Sequence, residues 1–474
     1  MGLAAGGYTV QNGSDAKLWQ THSCLVSLTV MQIHYRRLLL PSSLIGACLF
    51  AGVCFSQQAS SETALSTDSD QLADSDTPAL ANPALANPAL ANPALATDSV
   101  SPGDKPPLEL PPEVVKAGRK AKDKFLEIRS RLADELGKMR STNIRYLNDA
   151  DRSPEAEDRY RKHRDKSREL MNELFVSGLE VLRIVADAES ARYLVTMIEH
   201  RMKHDYYDVA TMEAGARMID AQVQEVDFIY PMTARTAVIC GDFVLARRLF
   251  EILNIDKIDK ADQRLFRELD ELEKQWKREQ ELIEASAGIE KPQVQLITTR
   301  GEVTLELFID SAPSTVAHFI TLVEQGYYDG LDFFQVIDHI LALTGDELGN
   351  GEGNMGKFIK DEHTRENARV ALAGSLVMAK LPAGPKGQFH ADSASSQFAI
   401  LYFPITHLTE SQTVFGRVTK GMDVISELRR VDPSKKKEKN QILLPPDRIL
   451  SMKVISRPEK LPEIQYVDHA GHQH

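Results

Sequence analysis

The sequence predicts a multidomain chain in which an all-helical domain over residues 113–290 precedes an antiparallel β domain over residues 291–457. Three observations lead there. Apolar residues recur at helical spacing through a charged, proline-poor stretch, as in Phe125, Ile128, Leu132 and Leu136. At Gln293 the period changes to two: VQLITTRGEVTLELF alternates apolar and polar residues around Arg300-Gly301, a hairpin signal. Ahead of both, residues 57–112 carry the repeat PALAN between Pro78 and Ala96. Each proline there removes an amide donor and restricts its predecessor, so neither helix nor sheet propagates and the stretch reads as a linker.

Residues 1–56 read as a late targeting signal. His34, Arg36 and Arg37 give a basic flank, the apolar run Leu38 to Phe55 follows, and small residues near Ser56 suit cleavage. Met31 is then the candidate start, with residues 1–30 an over-extended reading of the gene. The expected destination is periplasmic or extracellular. The alternative is a membrane anchor, but Pro41, Ser42 and Ser43 interrupt a run that must cross about 30 Å of hydrocarbon. Ile45-Gly46-Ala47-Cys48 also loosely resembles a lipoprotein cleavage box, although the apolar run continues past Cys48.

Three of the four cysteines, Cys24, Cys48 and Cys54, lie in or before this signal, leaving Cys240 in the mature chain. No internal disulfide can then form, and core packing must supply stability. Cys240 itself, in the run AVIC, reads as a small buried hydrophobe. The net charge of -12 argues against a nucleic-acid partner, since no broad basic surface offsets it. Membrane contact is expected only through the signal or anchor.

In the helical domain, Leu179, Leu182 and Ala186 mark a second long helix. Tyr230, Ala234, Gly241-Asp242-Phe243, Ala246 and Phe250 fall where a tetratricopeptide-like hairpin places its large and small packing residues. Leu194 to Ile219, with Ala210, offers a preceding hairpin of poorer fit, so stacked repeats and an irregular bundle both remain open. Either would serve partner binding. A last helix, Lys260 to Ala285, spaces Leu265, Leu269, Leu272, Trp276 and Ile283 for pairing with another helix or for packing within the chain.

The β region continues with a helix predicted through Val316, Phe319 and Leu322, capped by Ser314, and a turn at Gly326. Then come Gly345-Asp346 after a strand, a loop with Gly349, Gly351, Gly353 and Gly356, and the runs SLVMAK, SSQFAI and VFGRVTKGMDVI. In this order and spacing the region resembles a cyclophilin-type peptidyl-prolyl isomerase domain. The resemblance implies a closed eight-stranded antiparallel barrel with two helices over its open ends, and proline-containing polypeptides as partners.

Prolyl isomerisation crosses a barrier of about 20 kcal/mol set by amide conjugation. In this family an arginine donates hydrogen bonds near the prolyl nitrogen, an apolar pocket grips the ring, and polar side chains hold the flanking carbonyls. The resemblance places Gln335 at the arginine position, in Phe333-Phe334-Gln335-Val336-Ile337. Glutamine keeps a donor but loses the charge and some reach, and one such donor is worth about 2.7 to 4 kcal/mol. Ile340 and Leu341 stand for the family's pocket phenylalanine and methionine, Leu343 for a glutamine, and Ala399 for a second phenylalanine. Gln397, Phe398 and Leu408 match the pattern, His407 is within the family's range, and Gln412 replaces a rim histidine. Each lost aromatic wall removes about 1 to 3 kcal/mol of apolar burial. The expectation is an exported cyclophilin-family protein of weak isomerase activity. The alternative is a non-catalytic scaffold that binds proline peptides or a partner.

The segment LPAGPKGQFHADSA, from Leu381 to Ala394, is longer than the family's usual loop and would cover the groove or offer another surface. His469, His472 and His474 end the chain, over residues 458–474, in a polar tail too loosely spaced to predict a metal site, and His318, His363 and His390 show no ligand spacing. The run Lys435 to Lys439 reads as a solvated face. No cofactor and no metal are expected.

Overall fold

The computed structural model describes residues 111–148, 151–223, 226–383, 388–435 and 444–468. The signal, the linker, the tip of the Leu381 to Ala394 segment, most of the late lysine run and the terminal histidines lie outside the described residues. Among the described residues no helix is long and apolar enough to cross a membrane.

The chain from residue 112 onward forms one compact unit. Its helices are α1 (Pro112–Leu147), α2 (Pro154–Ile184), α3 (Ala188–Lys203), α4 (Val209–Asp220), α5 (Ile229–Cys240), α6 (Phe243–Ile252), α7 (Lys260–Arg267) and α8 (Leu269–Ala285). The α1 stripe is buried as its spacing requires, with Phe125 and Ile128 against Leu170, Leu174 and Val181 of α2. Ser153 caps α2 by accepting from the Ala156 amide, and Asp187, Asp208, Asp242 and Asp259 cap the helices that follow them. Ala186 lies beyond the end of α2, which stops at Ile184, and is exposed.

α5 and α6 are joined through Gly241 (φ 83°) and Asp242, and bury Ala234, Phe243, Ala246 and Phe250. Only glycine suits Gly241: its backbone is left-handed, and a Cβ would come within 2.3 Å of the Trp276 ring. The predicted helix from Lys260 to Ala285 is broken at Glu268, whose carboxylate accepts from the Thr406 hydroxyl at 3.0 Å. Leu265, Leu269 and Leu272 pack within the chain, in a core continuous with that of the β region.

The β region runs β1 (Gln293–Thr298), β2 (Gly301–Leu307), α9 (Pro313–Glu324), β3 (Gln335–Ile337), β4 (Leu341–Thr344), β5 (Phe358–Ile359), β6 (Ser375–Met378), β7 (Phe398–Leu401), α10 (Thr406–Thr409), β8 (Val414–Lys420), α11 (Met422–Ser426), β9 (Ile449–Ser456) and β10 (Tyr466–Val467). Thr298 pairs with Gly301, so the first hairpin closes on Thr299-Arg300. The predicted cap of α9 is replaced from afar: Ala312 and Pro313 open the helix, and the Glu362 carboxylate accepts from the Ser314 and Thr315 amides at 3.2 and 2.8 Å.

The main sheet has the antiparallel order β3-β4-β7-β6-β8-β2-β1-β9. It is a curled half-barrel, which corrects the expected closed barrel. β3 is only three residues long and its outer side is taken at Val336 by Val431. Near β9 the chain makes one bridge, Asp332 to Arg448, with three backbone bonds beside it, rather than a ladder. Strand alternation divides the sheet's two faces. Leu376, Met378, Phe398, Ile400 and Phe415 point inward to Phe319 of α9, while Val377, Ala399, Leu401 and Val414 form a separate outer cluster.

Candidate functional site

The outer face gathers half of the residues singled out from sequence: Gln335, Leu341, Leu343, Ala399 and Leu408. Gln335 pairs with Leu343, Leu343 with Ala399, Ala399 with Val377, and Val377 with Val414. Directly opposed residues in antiparallel strands share a face, so Gln335 heads a row that runs through two of the altered pocket positions. Leu408 of α10 and Ile405 just before it pack onto this row, and Leu341 and Leu343 are half-buried against it. Phe398 does not join them. Its ring lies on the inner face, edge-on to Phe319 at 5.3 Å and to Tyr328 at 5.5 Å. Ile340 is on the β3–β4 turn and 39% exposed, His407 is exposed, and Gln412 is buried behind α10.

Gln397 is already engaged. Its amide nitrogen donates to the carbonyls of Gly351 and Gly353 at 3.0 and 2.7 Å, holding the glycine-rich loop over the strand end. Only its carbonyl oxygen stays free for a ligand, so holding a substrate carbonyl requires the loop to let go. The loop is built around Asp346, which accepts from the amides of Leu348, Asn350 and Gly351. Gly353 must be glycine, because a Cβ there would sit 1.9 Å from the Asp346 carboxylate.

The helical region grips both flanks of this face. On one flank Asp205, fully buried at the end of α3, accepts from the backbone and ring of His339, from Arg430 and from the Tyr207 hydroxyl. Burial pushes its carboxyl up, but the bonds from His339 and the Arg430 charge outweigh this and hold it below the usual aspartate range. The β3–β4 turn beside Ile340 is thereby fixed, with His339 in a left-handed conformation (φ 61°). On the other flank Glu268 accepts from Thr406, Gln275 from Thr409, and Arg264 donates to the Pro404 carbonyl, bracketing His407 and Leu408. Farther along the outer cluster, Glu279 of α8 is fully buried between Arg369 (2.6 Å) and Arg417 (3.1 Å) and accepts from the Val370 amide. Arg369 in turn covers the Phe308 ring at 3.9 Å.

Sequence reading missed these contacts. It also missed Lys380, buried beside Asp361 at 2.5 Å and donating to the Ser411 carbonyl next to Gln412. A lysine directly after the apolar strand SLVMA was the available signal.

The class is given by comparison with known proteins. Residues 293–454 match the family model described as cyclophilin type peptidyl-prolyl cis-trans isomerase/CLD. The peptidyl-prolyl cis-trans isomerase cypE of Dictyostelium discoideum is 36% identical over 152 residues, 31% of this chain and 92% of that protein. The peptidyl-prolyl cis-trans isomerase CYP65 of Arabidopsis thaliana is 37% identical over 144 residues, 30% of this chain and only 23% of that protein. Among solved structures, a Cryptosporidium parvum cyclophilin type peptidyl-prolyl cis-trans isomerase in the presence of the dipeptide Ala-Pro is 24% identical, with a TM-score of 0.29 over 35% of this chain and 99% of that one. This chain belongs to the cyclophilin-type peptidyl-prolyl cis-trans isomerase family.

Proposed function

We propose that this protein is an exported prolyl isomerase of low turnover, acting on proline-containing polypeptides through the outer row from Gln335 to Ala399 and Leu408. The observation that carries the reading is the register that sets Gln335, Leu343 and Ala399 side by side on one face. Gln335 offers an uncharged donor where the family's arginine works, and Ala399 leaves the floor of the pocket without a ring. Both changes weaken stabilisation of the twisted amide more than they weaken contact with a bound chain.

A second reading, a binding-only scaffold, is favoured by Gln397, whose donors are spent on Gly351 and Gly353. On either reading the helical region, with a tetratricopeptide-like α5–α6 hairpin, recruits a protein partner; Val244 and Ile252 of α6 are exposed, which supports this role. NMR exchange on short X-Pro peptides separates the two. Exchange above the uncatalysed rate, lowered by Gln335→Ala, supports the isomerase; exchange at the uncatalysed rate leaves the scaffold. Export is tested by sequencing the N-terminus of the mature protein, expected near Ser56.

A further inference from the structure

We propose that His200, His204 and Glu427 form a binding site for one zinc-like divalent transition-metal ion, which fastens the end of α3 to the turn after α11. The two histidines stand four residues apart in HRMKH, at the last turn of α3 and its C-cap, so they share one helix face. Their ring centroids are 4.4 Å apart. Glu427 caps α11 from the far side, and one ligand atom from each of the three residues lies within 4.8 Å of the others.

Two imidazoles and one carboxylate are a ligand set suited to zinc, with metal–ligand distances of about 2.0 to 2.2 Å. Tetrahedral geometry at those distances separates ligand atoms by about 3.3 to 3.5 Å. His200 Nε2 and Glu427 Oε1 are already 3.4 Å apart. All three residues are half-buried, so an ion can enter from solvent, and three protein ligands leave a fourth position for water.

Two features oppose the ion. Arg168 and Arg430 bring positive charge toward the cluster, and the His200–Glu427 contact is also an ordinary ion pair. Both arginines have acidic partners of their own, Arg168 with Asp165 and Arg430 with Asp205 and Asp338, which limits the repulsion. The position gives the ion a structural role: the residue after His204 is Asp205, which holds His339 and Arg430. An ion there locks the same corner that fixes the β3–β4 turn.

The test titrates zinc chloride into the full chain in competition with a chromophoric chelator. His469, His472 and His474 are replaced by alanine in every arm to remove the tail's imidazoles. The expected result is one zinc per chain, affinity reduced at least about tenfold by His204→Ala and by Glu427→Gln, and a Tm raised by zinc in the parent alone. If His204→Ala fails to fold by circular dichroism, the isosteric Glu427→Gln decides. No zinc bound by the parent, or equal affinity in parent and Glu427→Gln, overturns the proposal and leaves a plain ion pair.

Discussion

The two faces of the main sheet are built from the same strands and are chemically unlike. The inner face is aromatic: Phe319 lies 5.3 Å from Phe398 and 5.0 Å from Phe415, with Tyr328 beside them. The outer face is aliphatic and partly open, with Ala399, Val377, Leu341 and Leu343, and Phe308 in the same cluster lies under Arg369. Because side chains alternate along a strand, neighbours such as Phe398 and Ala399 answer to different demands. The inner face carries the fold, so residues on the outer face can change without unfolding the domain. The fold's aromatic core and the candidate site therefore lie on opposite faces of one sheet.

The largest effect expected from this contrast is on stability. Phe398→Ala should cost about 3 to 5 kcal/mol in urea unfolding, whereas Leu343→Ala, on the half-exposed outer row, should cost about 1 kcal/mol. Equal costs would break the distinction between faces. A smaller, local effect is expected at Gln397. Gln397→Ala removes two hydrogen bonds to the glycine-rich loop, worth about 1 to 3 kcal/mol together. Amide exchange in residues 349–356 should accelerate while the core amides stay protected.

The smallest effect is a pH dependence. Burial lowers the His318 pKa below its ordinary value, with Ser395 accepting from its ring at 3.0 Å. Below about pH 6.5 the unfolded chain takes up a proton that the folded chain refuses, so stability falls as pH drops through that window. His318→Gln should flatten the slope measured by unfolding between about pH 5 and 7. His204 and His363 are shifted the same way, so part of the slope should remain.

Much of this was legible in the sequence because it is local or periodic. The change of period at Gln293 follows from alternation, and the hairpin signal at Arg300-Gly301 fell one residue beyond the observed turn at Thr299-Arg300. The misplaced residue, Phe398, was legible too: it is one step from Ala399 and must face the other way. What stayed hidden is long-range. Glu362 capping α9, Asp205 holding His339, and Glu279 between two arginines join residues far apart in the chain, and no local pattern marks an acid for such a role. The edge of the open sheet was hidden for a similar reason: Val431, far along the chain, bridges to Val336 of β3.

On the proposed function, catalysis has been thinned across the outer row while the fold is kept. This is tested most directly by NMR exchange on an X-Pro peptide, comparing the wild type, Gln335→Arg, and Gln335→Arg combined with Ile340→Phe, Leu343→Gln and Ala399→Phe. Slow exchange in the wild type is predicted, with a gain from Gln335→Arg alone below the roughly hundredfold that one such donor supplies, and a further gain in the combined variant. Full turnover in the wild type, or full recovery by Gln335→Arg alone, would contradict it.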